Sequence, residues 1–169
     1  MNDRHTATTV PSQSVPFETE RELAPLPLLW AKALDEGDAA ILQELLTEDV
    51  VADLTPATTR IGLDFPVLTG RDTVVANMIG AVGPLDTTHM VTNVTYRGIS
   101  DGWLIQAYAL AQHFLPGQGP DATKTRHVLM GNTWTFHVRP TQHGPRVARF
   151  TMDNRWLDGD PSVLMAAVA

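Results

Sequence analysis

Two histidines and an asparagine stand out among the 169 residues of this chain, because each falls in a stretch that reads as a β-strand. His89 lies in DTTHMVTN, residues 86–93, which runs on into the strand formers Val94, Thr95 and Tyr96. Alternation along such a strand sets His89, Val91, Asn93 and Thr95 on one face and Met90, Thr92, Val94 and Tyr96 on the other. The first set is too polar for plain core, so it faces either solvent or a binding pocket. His113 ends a run in which Ala107, Ala109 and Ala111 share its face. Methyl groups leading up to an imidazole leave the space that a small-molecule pocket requires. Asn132 shares a face with Met130 and Trp134 and, if buried, must find hydrogen-bond partners.

The chemistry open to such a set is proton transfer. A neutral imidazole, with an ordinary pKa of about 6.5, accepts a proton close to neutral pH. The absence of cysteine removes disulfides, thiolate metal sites and cysteine nucleophiles together. A zinc site built from His89, His113 and His127 lacks ligand-motif spacing, so neither a metal nor another cofactor is expected. His127, at the start of a strand, and His137 and His143, flanking a loop, read as surface residues. A net charge of -7 and a pI near 5.2 lack the electrostatic footprint of a nucleic-acid binder. No apolar run approaches the length of a membrane span, and the first residues carry no basic region followed by an apolar stretch. The expectation is a cytoplasmic protein with a small-molecule partner and neither nucleic acid nor membrane.

The elements that must hold these residues are legible in apolar spacing. Residues 1–17, rich in Thr, Ser, Pro and Gln, read as a flexible tail. In PLPLLWAKALDEGD, Leu26, Leu29, Trp30, Ala33 and Leu34 recur at helical spacing, and Gly37 is a stop. Asp38 can cap a second helix, AAILQELLTED, striped by Ile41, Leu42, Leu45 and Leu46. VVADL, residues 50–54, reads as a strand; TPATTRIGLDFPVLTG is looser; RDTVVANMIGAVG is a third helix after Gly70. The second half is different in kind, with strand candidates VTNVTYRGI, WLIQAYALAQHFLPG, TRHVLMGNTWTFHVRP and RVARFTMDNRWLDG bounded by Gly, Pro or Asp. Helices first and a meander afterwards predict an α+β domain over residues 18–158, with one mostly antiparallel sheet curling around the helices and a C-terminal tail over 159–169.

The order of these pieces resembles the SnoaL-like and scytalone-dehydratase-like branch of the nuclear-transport-factor-like superfamily. The carriers are WAKALDEGD followed by LLTEDVVADL, then LTGRDTVVANMI, then TTHMVTNV, then RFTMDNRWLDG. The resemblance implies a cystatin-like α+β barrel, a cone of curved sheet closed by three helices. It leaves the activity open, since the family holds dehydratases, a dehydrochlorinase, ketosteroid isomerases, polyketide cyclases, epoxide hydrolases and non-catalytic members.

Residue by residue the resemblance says more. In scytalone dehydratase and hexachlorocyclohexane dehydrochlorinase an aspartate ending the first helix pairs with a histidine opening a strand, and the matching positions are Asp35 and His89. A second histidine and an asparagine of the dehydratase match His113 and Asn132. Its tyrosines are replaced here by Leu34 and Leu54, and its pocket serine by Met130, which weakens the match to that one reaction. The implied roles are His89 as general base, Asp35 holding its tautomer, His113 as acid and Asn132 as oxyanion donor. A carboxylate so near a helix C-terminus is opposed by the helix dipole, an oddity that favours a purpose for Asp35. Asp53 lies near the catalytic aspartate of the isomerases and Asp153 near the acid/base aspartate of the cyclases, so either is a competing base. Trp30, Met90, Met130 and Trp134, with Phe150 and Trp156, are available as pocket walls, and Asn93 as a further lining residue. The expected function is a cofactor-independent dehydratase, isomerase or cyclase acting on a hydrophobic oxygenated molecule such as a polyketide, aromatic or terpenoid intermediate. A non-catalytic binding or assembly module of the same fold is the alternative. The resemblance also implies a homodimer or homotrimer.

Overall fold

The computed structural model describes residues 14–165. The tail expected over residues 1–17 lies mostly outside them, and Phe17 already opens helix α1 (Phe17–Leu23). Helix α2 (Pro25–Glu36) buries Leu26, Trp30, Ala33 and Leu34 on one side, as their spacing requires. It stops at Gly37, whose φ of 63° is a left-handed conformation that costs glycine little. Asp38 then caps α3 (Ala39–Leu45), its Oδ1 accepting from the N–H groups of Ala40 at 2.9 Å and Ile41 at 3.1 Å. This helix is shorter than its apolar stripe suggests. From Leu46 the chain is extended, forming β1 (Leu46–Asp53).

The loosely patterned segment after β1 contains a short helix, α4 (Thr55–Arg60), and a two-residue strand, β2 (Leu68–Thr69). Helix α5 (Arg71–Val82) leads into the four long strands β3 (Asp86–Ile99), β4 (Gly102–Phe114), β5 (His127–Thr141) and β6 (Gly144–Gly159). The six strands form one curved sheet in the order β2-β1-β6-β5-β4-β3, antiparallel throughout except where β1 runs parallel to β6. The fold is α+β as expected, with α1 and α4 added to the three expected helices. The sheet does not close into a barrel, because β2 and β3 remain its two edges. No described helix is long and apolar enough to cross a membrane.

The core is aromatic where α2 meets the sheet. The Trp30 ring lies 4.3 Å from that of Phe150 and 5.5 Å from that of Phe136, and Trp134 completes the group at 5.8 Å from Phe150. Within the C-terminal tail expected over 159–169, the described residues Pro161–Met165 form a 3-10 turn that buries Val163 in a second cluster with Leu85, Ala111, Val128 and Met130.

Strand β3 departs from simple alternation. Thr92 pairs with Tyr108 while Thr95 pairs with Gln106, so one extra residue is inserted in β3, and Asn93 there has a φ of 53°. The insertion reverses the faces: His89 and Val91 point inward before it, Val94 and Tyr96 after it. Asn93 is therefore exposed and does not line a pocket, and Thr95 is exposed too. Met90 points outward at 55% exposure, so it is no pocket wall either; Trp156 is likewise outside, at 48%.

Candidate active site

The packing of α2 against β3 brings the last turn of that helix to the start of that strand. Asp35 arrives there with its carboxylate facing three donors. The Thr87 hydroxyl donates to Oδ1 at 2.7 Å, the His89 backbone N–H donates to Oδ2 at 2.9 Å, and His89 Nδ1 lies 2.6 Å from Oδ1. A carboxylate only accepts, so Nδ1 carries a proton, and in the neutral ring it is Nε2 that holds the lone pair. Burial pushes the Asp35 carboxyl up, but the bonds from the His89 ring, the His89 N–H and Thr87 outweigh it and hold the group below the usual carboxylate range. Those donors also offset the unfavourable field of the helix C-terminus. Thr87 carried no signal of its own in the sequence, although it stands two residues before His89 on the same face and the alternation rule reaches it.

His89 forms part of the wall of a cavity of about 230 Å³ between α2, α4, α5 and the inner face of the sheet. Of the expected walls, Trp30, Met130, Trp134 and Phe150 line it. Ala107, Ala109 and Ala111 are buried as expected, and Ala111 leaves room beside His113. The His89 and His113 rings meet edge to face with centroids 5.4 Å apart, and Asn132 is the next strand's contribution. The indole Nε1 atoms of Trp30 and Trp134 and Nδ1 of His113 are buried with no hydrogen-bond partner among the described residues. A buried polar group left unpaired in this way costs about 1–3 kcal/mol.

Burial pushes the His113 imidazole down to about 4, and the neighbouring His89 adds to the effect. At neutral pH the ring is uncharged and carries one N–H, a group able to donate a hydrogen bond. The same shift ties stability to pH. The unfolded chain takes up this proton near 6.5 and the folded chain only near 4, so the contribution is complete above 6.5 and is lost as pH falls toward 4. It amounts to roughly 3 kcal/mol. Urea midpoints measured from neutral pH down to about 4 should fall steeply for the wild type and less steeply for His113→Leu. Identical slopes would mean that His113 does not carry this dependence.

The competing carboxylates are engaged elsewhere. Asp53 Oδ1 accepts from the Thr55 N–H at 3.2 Å and the Thr55 hydroxyl at 2.7 Å, and its Oδ2 accepts from Arg149 at 3.0 Å. It precedes α4 and ties it to β6, and it is not among the residues that line this cavity. Asp153 pairs with Arg60 at 3.0 Å and also lies outside the cavity. Both are thereby removed as candidate bases. Further enclosure comes from Thr58 and Ile61 of α4 and the turn after it and from Leu63, Asp64 and Phe65 beyond, none of which carried a signal in the sequence, and from Met78 of α5 and Leu164 and Met165 of the last turn. Among the described residues no group of three His, Cys, Asp or Glu side chains is placed to hold a metal ion.

Comparison with known proteins places the chain in context. The family model described as SnoaL-like domain matches residues 17–156. Several solved structures share the fold. A protein of Novosphingobium aromaticivorans, assigned as an aromatic ring hydroxylase, superposes with a TM-score of 0.73 at 23% identity, over 89% of this chain and 99% of its own. One from the same organism, assigned as a scytalone dehydratase, gives 0.68 at 16% identity, over 86% and 92%. The hexachlorocyclohexane dehydrochlorinase of Novosphingobium barchaimii gives 0.69 at 12% identity, over 85% and 91%. At these identities the likeness is one of fold. No curated protein matches the chain.

Proposed function

This chain belongs to the SnoaL-like domain family, and from that premise we propose that its cavity catalyses proton abstraction next to a carbonyl group in a hydrophobic small molecule. The reading rests on one observation: a cavity-lining imidazole whose Nδ1 is held 2.6 Å from a part-buried carboxylate oxygen. Nε2 of His89 takes the proton from carbon, and the electron pair moves into an enolate. Asp35 stabilises the imidazolium that results. The enolate oxygen accepts hydrogen bonds from Asn132 Nδ2 and from the neutral His113 ring.

The fate of the enolate is set by the substrate. With a hydroxyl on the next carbon, the His89 imidazolium gives its proton to that oxygen, the C–O bond breaks and water leaves. With a second acceptor carbon in the same molecule, the enolate attacks it and the imidazolium protonates the new alkoxide, closing a ring. Return of the proton to a different carbon gives isomerisation. In this scheme one residue, His89, serves as base and then as acid, while the neutral His113 ring contributes its N–H as a hydrogen-bond donor. The aromatic and aliphatic lining supports polyketide, aromatic or terpenoid intermediates as the substrate class.

The test is an elimination assay on a panel of aryl β-hydroxy ketones, following the absorbance of the conjugated enone, with deuterium uptake from heavy water read in parallel. Rates well above buffer, with the same deuterium exchange at the carbon next to the carbonyl, are expected. Binding of these ketones without turnover or exchange would overturn the enzymatic reading and leave a binding module.

A further inference from the structure

Asn154 is buried on β6 and takes no part in the proton transfers proposed for His89. Its position comes from a break in the strand pairing. Gly131 pairs with Trp156 while Asn132 pairs with Asn154, so Arg155 is an inserted residue and the ladder is interrupted beside it. Asn154 fills that interruption. Its Nδ2 lies 2.9 Å from the Trp156 carbonyl oxygen, 3.4 Å from that of Gly131 and 2.9 Å from Oδ1 of Asn132.

Three oxygens converge on one end of this side chain. The two ends of a carboxamide look alike in most structures and are told apart by their partners; here an oxygen in place of Nδ2 would face the backbone carbonyl oxygens of Trp156 and Gly131, neither of which can donate. The donor end of Asn154 is therefore settled, and it settles Asn132 in turn. Asn132 must present its oxygen to Asn154, and its planar carboxamide then turns Nδ2 away from β6 toward the cavity that Asn132 lines.

We infer that Asn154 is a positioning residue: it fixes the Asn132 carboxamide with its donor toward the cavity, so that the site favours a ligand oxygen bearing negative charge. This rests on the reading of the cavity as an acid/base site. An apolar neighbour in its place would let Asn132 turn either end inward. An acidic neighbour would reverse it, drawing Nδ2 toward β6 and leaving an oxygen to face the ligand.

The experiment compares two probes of similar shape, 4-nitrophenol at a pH where it is ionised and nitrobenzene, which lacks the oxyanion. The wild type is expected to prefer the phenolate. Asn154→Asp is expected to lose that preference by on the order of tenfold to a hundredfold, the range of one hydrogen bond to a charged group, while its affinity for nitrobenzene stays unchanged. A residue that only plugs the bulge would lower both affinities together or only the melting temperature. A second measurement uses unaltered protein: the side-chain amide signal of Asn132, identified by its loss in Asn132→Asp, should shift when the phenolate binds. Equal phenolate preference in Asn154→Asp and wild type, or an unmoved Asn132 signal with the probe bound, overturns the inference and leaves the acid/base reading standing. Failure of the wild type to bind either probe overturns that reading, and the inference with it.

Discussion

His89→Ala is expected to slow enone formation by on the order of 10² to 10⁴-fold, the usual contribution of a positioned general base, without unfolding the protein. The substitution removes the ring and keeps the backbone. Asp35 would still accept from the N–H of residue 89 and from the Thr87 hydroxyl, bonds of 2.9 Å and 2.7 Å in the wild type. The carboxylate is 24% exposed, so it is not left as an isolated charge in a dry interior. The loss should appear as a fall in kcat, because a base acts on the transition state more than on the bound substrate. Asp35→Asn should fall between the two: an amide cannot accept from all three donors at once, and the His89 tautomer is released. Initial rates together with circular-dichroism melts decide the matter. A His89→Ala protein that is folded and turns over at the wild-type rate would dispose of the dyad and return the search for a base to the remaining carboxylate of the lining, Asp64 at the cavity edge.

Trp30→Ala should cost about 3–5 kcal/mol of stability, a large share of the roughly 5–15 kcal/mol that holds a domain of this kind together. Trp30 is fully buried and touches Phe150 and Phe136 at ring separations of 4.3 Å and 5.5 Å, joining α2 to β5 and β6. Alanine would leave a hole at the junction that also carries Asp35 to His89, so the geometry of the dyad should loosen with the core. The indole N–H of Trp30 has no partner among the described residues, so Trp30→Phe gives up packing volume and no hydrogen bond. That variant should recover at least about half of the loss. Urea titration at neutral pH measures both. A loss below about 1 kcal/mol for Trp30→Ala would show that the aromatic group is not what fastens the helix to the sheet.

The parts of the site that could be read from the chain are those written locally. Ala107, Ala109, Ala111 and His113 form one inward face because β4 runs regularly, and alternation needs only neighbours to be known. The end of α2 at Gly37 and the Asp38 cap are equally local. On β3 the same rule placed His89 rightly and Asn93 wrongly, since the extra residue at Asn93 is a matter of pairing with β4 and of a positive φ. The pairing of Asp35 with His89 was legible only through resemblance. Asp53 and Asp153 were competitors through resemblance alone, and the residues that occupy them, Arg149 and Arg60, lie 96 and 93 positions away in the chain, out of reach of any local rule. Helix α4 gave no periodic signal in six residues, and Asn154 gave none at all.

The sequence by itself determined the class of fold, the order of its elements, the small-residue face of β4 and the residue types able to move a proton, because propensity, periodicity and capping act between residues a few positions apart. The tertiary structure decided which carboxylate meets an imidazole, which face of β3 carries Asn93, that His113 is buried, and that Asn132 meets Asn154. Those outcomes depend on burial and on hydrogen bonds between strands and helices distant in the chain, and such energies exist only once the elements have packed.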